Sequence, residues 1–169
     1  MSPESEAQGA HKAAFRPSDD DKKMSAYELW RVHKRKRDIR EAYVAHWNAT
    51  VAATGTGRPV DAIISPIAPY AAPPHGKNKS ADYTMIWNLL DYTALVVPVT
   101  KVDPSIDVKK PPHEFLNPKD KETYELYDPN VFANAPVSIQ VVGRTLEEEA
   151  VIGISEIVDA ALKAASSKL

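Results

Sequence analysis

The sequence has no cysteine. Disulfides, zinc–thiolate centres, iron–sulfur clusters and a cysteine nucleophile are therefore excluded. Glycine is scarce, six in 169 residues, and forms neither a Walker A loop nor a Gly-x-Gly-x-x-Gly turn. Nucleotide binding by those routes has no support. No Gly-x-Ser-x-Gly elbow occurs, so a serine of the α/β-hydrolase kind has no seat. A dominant charge is missing too: 21 Lys plus Arg face 23 Asp plus Glu, a formal net charge of -2. Binders of nucleic acid or anionic membrane surfaces are normally strongly basic, so neither partner is expected. No apolar run approaches the roughly 20 residues of a membrane span. Met1 to Ala14 has no apolar stretch of the signal-peptide type, and a cytoplasmic location is expected.

Proline is plentiful, with 14 residues, and points to long loops. Residues 1–24 are polar and charged, with Asp19, Asp20 and Asp21 in a row, and are expected to be disordered or loosely attached. Residues 25–169 carry the fold. Ser25 and Glu28 have the spacing of a capping box. Val32, Ile39, Tyr43, Trp47 and Val51 follow on one helical stripe, so a long helix is expected from Ser25 to Ala53, stopped by Gly55 and Gly57.

Val60 to Ser65 reads as a buried strand closed by Pro66, and Pro66 to Ser80 as a loop. Ala81 to Leu90 reads as a short helix. Ala94 to Thr100 is a second strand, in which Pro98 requires a bulge, an edge or a strand end. Lys101 to Ala135 reads as a long surface excursion. Pro136 to Val142 is a third strand. Thr145 and Glu148 suggest a second capping box, ahead of a closing helix to about Ala164 with Leu146, Ala150, Ile154, Ile157 and Ala161 on one face. This alternation favours an α/β class with about three core strands, flanking helices and Pro-rich loops. Three apolar strands with three helices look like one flank of a larger sheet.

The histidines are His11, His33, His46, His75 and His113, and no two have the i, i+4 spacing of a zincin pair. A metal site would need distant residues to converge; none is assigned, nor is any cofactor. The run from His33 to Arg37 can be read as a polyanion patch, but Asp38 and Glu41 beside it favour a solvated helix face. Asn48-Ala49-Thr50 and Asn78-Lys79-Ser80 match the glycosylation sequon and are taken as chance matches. Glu147, Glu148 and Glu149 suit a first helical turn, where the helix dipole stabilises carboxylates, better than general acid–base work.

Three segments in order carry a resemblance. They are Asp61-Ala62-Ile63-Ile64-Ser65-Pro66 with Pro69, then Trp87-Asn88-Leu89-Leu90-Asp91-Tyr92-Thr93-Ala94-Leu95-Val96-Val97-Pro98-Val99-Thr100, and Ala135 to Arg144 followed by Leu146-Glu147-Glu148-Glu149. Together with Glu28-Leu29-Trp30 and Trp47, these resemble the C-terminal portion of the amidase signature family. Within it they resemble the fungal acetamidases and fatty-acid amide hydrolases. Thr93 departs from the pattern, standing where the family usually has proline.

The resemblance implies a partial α/β/α sandwich and, for a full-length family member, hydrolysis of a carboxylic amide by a Ser–cis-Ser–Lys triad. It also implies an oxyanion hole of glycine-rich backbone amides. No Gly-Gly-Ser-Ser-Gly-Gly stretch occurs here, and Ser166-Ser167 has no glycine beside it. No catalytic residue is assigned, and the chain alone is expected to be inactive. Asn88, Leu89, Asp91 and Tyr92 are the candidates for the side of a substrate channel. Asn88 and Asp91 have an equal claim to helix capping or to bridging a neighbouring loop. Gln140 and Gly143 are expected to be structural. A small-molecule amide is the implied partner only in the context of a full-length enzyme. The alternative is a non-enzymatic α/β interaction module that uses, or self-associates through, an exposed sheet flank.

Overall fold

Ser25 starts the first element as its spacing requires. Its backbone N–H donates to the Glu28 carboxylate at 2.8 Å, and the Glu28 N–H returns a bond to the Ser25 hydroxyl at 3.3 Å. The computed structural model describes residues 23–166, so the expectation for residues 1–24 lies almost wholly outside the described part. Contacts divide the chain into two compact units, Met1–Asp38 and Ile39–Leu169. Helix α1 (Ala26–Ala49) runs through the boundary.

In the first unit, Lys34 pairs with Asp38 one turn on, at 2.7 Å. Tyr27, Trp30 and Val32 are exposed. Val32 thus falls outside the buried stripe expected for it. The stripe meets the core only in the second unit, where Trp47 is buried and Ile39 and Tyr43 are half-buried.

In the second unit α1 stops four residues short of the expected Ala53. The Thr50 hydroxyl donates to the Trp47 carbonyl at 2.7 Å and accepts the Val60 N–H at 3.0 Å. A single turn, α2 (Val51–Thr54), follows, and Gly55 closes it in the left-handed region at φ 67°. Val51, expected on the stripe, is exposed.

Three strands form one sheet: β1 (Ile63–Pro66), β2 (Ala94–Lys101) and β3 (Pro136–Val142). The order is β1-β3-β2, and β3 runs antiparallel to both neighbours. Val142 lies opposite Ile63 on one side and Ala94 on the other. The register of β2 slips between Pro98 and Thr100 and β2 is an outer strand, so two of the three settings expected for this proline are met. The outer edges of β1 and β2 have no strand partner among the described residues.

Alternation along the strands sends neighbours to opposite faces. One face offers Val97 and Val141 to helix α5 (Glu148–Ser166), where Val151, Ile154, Val158 and Leu162 meet them. The other face offers Val142 to Trp47, Trp87, Leu90 and Tyr92. The buried side of α5 differs from the one expected. Ile157 is exposed, and Leu146 lies before the helix, exposed, at φ 62°. The physical cause is the turn before α5. Glu147, and not Glu148, closes it, accepting the Arg144 N–H at 3.1 Å and gripping its guanidinium at 2.8 Å. The expected Thr145–Glu148 box does not form.

The long excursion after β2 is not structureless. It holds helix α4 (Pro118–Leu126), capped by the Asn117 side chain, which accepts the Asp120 N–H at 2.9 Å. Residues 103–116 lie along this helix. The Tyr124 hydroxyl donates to the Lys110 carbonyl at 2.7 Å, and His113 Nε2 lies 3.1 Å from Asp120. The Leu116 N–H, with His113 adding to it, holds the Asp120 carboxyl below its ordinary pKa.

Candidate functional site

Six residues make helix α3 (Met85–Leu90), and Asp91 ends it in the left-handed region at φ 64°. Aspartate tolerates this conformation better than most side chains. The N–H groups of Asp91 and Tyr92 both turn back to the Trp87 carbonyl. That turn fixes where each candidate points. Trp87, Leu90 and Tyr92 go inward, while Asn88 and Asp91 are exposed and Leu89 is half-buried.

Tyr92 stands in a box of aromatic rings. Trp87 stacks near it at 6.4 Å with 15° between the planes, and Tyr43 and Trp47 meet it edge-on at 5.6 and 5.5 Å. Burial, with Tyr43 adding to it, pushes the Tyr92 phenol above its ordinary pKa. The Trp47 indole N–H donates to the Val60 carbonyl at 3.0 Å. The Trp87 indole N–H and the Tyr92 hydroxyl are buried without a hydrogen-bond partner among the described residues.

Asp91 joins three elements. Its carboxylate meets Arg40 of α1 at 3.1 Å, and its carbonyl accepts the Thr145 hydroxyl at 2.7 Å from the turn before α5. Thr93 makes the next link, donating to Glu148 at 3.2 Å and accepting the Gly143 N–H at 2.9 Å. Asp91 thus has the bridging partners that compete with a channel role. Asn88 makes no side-chain hydrogen bond among the described residues.

Gln140, expected to be structural, is buried, and its hydrogen bonds show why. Its side-chain NH2 lies within 3.0 Å of the Ser65 hydroxyl and the carbonyls of Pro66 and Tyr83. It therefore ties β3 to β1 and to the segment that leads into α3. Spacing gave no warning of this hub or of the Arg40–Asp91 pair, because both depend on contacts between distant segments.

No described serine hydroxyl bonds to a lysine. The contacts of Ser25, Ser65, Ser80, Ser105 and Ser155 go to Glu28, Gln140, Asp82, Asp103 and the Val151 carbonyl. Among the described residues, no three His, Asp or Glu side chains converge as a metal site would require. No described helix is long and apolar enough to cross a membrane.

These elements have counterparts in known proteins. The chain is 42% identical over 147 residues to an amidase of Gibberella zeae, covering 85% of this chain and 27% of that protein. It is 38% identical over 135 residues to the acetamidase of Emericella nidulans, covering 80% of this chain and 24% of the other. The fold resembles that of a solved fatty acid amide hydrolase, with a TM-score of 0.71 and 23% identity, over 83% of this chain and 24% of that one. This chain spans about a quarter of the length of these relatives. The amidase family model matches residues 9–152, and the chain belongs to that family.

Proposed function

We propose that this chain is the C-terminal part of an amide hydrolase of the fungal acetamidase kind. In that setting it completes a partial α/β/α sandwich, and the α3–Tyr92 segment, with Asn88 and Leu89, faces the substrate channel. The reaction would be cleavage of a carboxylic amide at its C–N bond. The Ser–cis-Ser–Lys groups that perform it would come from a portion of polypeptide other than this one. The observation that carries the reading is the sheet, whose outer strands both have open edges among the described residues. The span of a quarter of each relative and the missing glycine–serine signature agree with it.

The test is an assay of the purified chain with acetamide and longer primary amides. No hydrolysis is expected from the chain alone. Co-expression with the remainder of a related fungal acetamidase is expected to restore turnover. Hydrolysis by the isolated chain that disappears when its own serines are replaced would overturn the reading.

A further inference from the structure

A concave site lies between the loop that precedes α3 and helix α4. The loop from Tyr70 to Ser80 and helix α4 line a half-open pocket of about 300 Å³. Two contacts tie its walls together: Lys79 pairs with Glu122, and Lys119 with Asp82. The loop is held in shape from within. The Tyr70 hydroxyl accepts the N–H groups of Lys79 and Ser80 at 3.2 and 3.1 Å and donates to Asn78 at 2.9 Å. The floor is apolar, made of Tyr70 and Leu126, which also pack on the core of Ala71, Val102 and Phe132. The site is thus built and supported, which limits the ordering cost of filling it.

Its chemistry is selective. Lys79 and Lys119 are neutralised by their carboxylate partners, and Glu125 faces Lys121 at 3.7 Å. Lys77 alone of the lining cations has no ion-pair partner among the described residues, and the Thr123 hydroxyl makes no side-chain hydrogen bond there. One free ammonium and one free hydroxyl above an apolar floor suit a single anionic head on a short hydrocarbon tail. We infer that this cavity binds a small aliphatic monocarboxylate, its tail on Tyr70 and Leu126 and its carboxylate at Lys77 and Thr123. The inference does not depend on the amidase reading and needs no catalytic activity.

The experiment is calorimetric and NMR titration of the full chain with hexanoate, with hexylamine as the cationic control. Saturable hexanoate binding is expected, with chemical-shift changes confined to residues 70–80 and 119–126. Lys77→Glu should weaken it at least tenfold, and Thr123→Trp should abolish it by filling the cavity. Should Thr123→Trp fail to fold, the Lys77→Glu titration and the shift map decide. Three results overturn the inference: no saturable binding, equal binding of hexylamine, or hexanoate binding that Lys77→Glu leaves unchanged.

Discussion

Under α5 the sheet presents Val97 and Val141 to Val151, an aliphatic contact. On its other face Val142 meets Trp47, Trp87 and Tyr92, and Gln140 stands two residues away on the same side. The aliphatic side is close-packed. A Cβ built on Gly143 would lie 2.5 Å from the Val151 methyl Cγ2, so α5 sits as near to the end of β3 as glycine permits. The aromatic side is held by directional bonds. Gln140 and the Trp47 indole satisfy carbonyls there, while the Trp87 and Tyr92 polar atoms meet none among the described residues. One face therefore depends on shape and the other on hydrogen-bond matching, and the candidate channel residues sit on the second.

The largest expected effect tests that matching. Gln140→Glu sets a carboxylate against the Pro66 and Tyr83 carbonyls. Burying an unpaired charge should cost about 3–4 kcal/mol at pH 8. The folded-state pKa of the new acid would be raised, so the deficit should grow as pH rises past its unfolded value and shrink below about pH 4.3. Urea unfolding at pH 4 and pH 8 measures this, and a loss independent of pH would break the contrast between the faces.

Next comes the aliphatic side. Gly143→Ala should destabilise by about 2 kcal/mol through overpacking. Part of that loss should return when Val151→Ala is combined with it, as a double-mutant cycle would show. Trp47→Phe leaves the Val60 carbonyl unpaired and should cost about 1–2 kcal/mol by the same melts. Tyr92→Phe removes a hydroxyl that has no partner among the described residues, so a change within about 0.5 kcal/mol, or a small gain, is expected. A loss as large as that of Trp47→Phe would mean that the Tyr92 hydroxyl has a partner in solution.

Sequence pattern was most informative where local chemistry decides the backbone. The strand Pro136–Val142 and the Ser25–Glu28 cap were readable for that reason, and Pro98 narrowed its place to a bulge, an edge or a strand end. Helix α4 was missed because it is polar, with no apolar stripe, although Asn117 followed by Pro118 is a helix start. The face of α5 was misplaced because Leu146 adopts a left-handed conformation and shifts the helix start to Glu148. The burial of Gln140 and the bridging role of Asp91 rest on pairings across the fold, which no window of neighbouring residues reveals.

The order β1-β3-β2 also sets a timetable for synthesis. The central strand is the last of the three to leave the ribosome. Until residue 136 has emerged, β1 and β2 lack the strand that joins them here, although both are already made. Ile63 must then find Val142 across most of the intervening chain, a search that slows closure. A nascent chain stalled anywhere in the α4 segment would hold two apolar strands without β3 between them. Such a chain invites chaperone capture or aggregation.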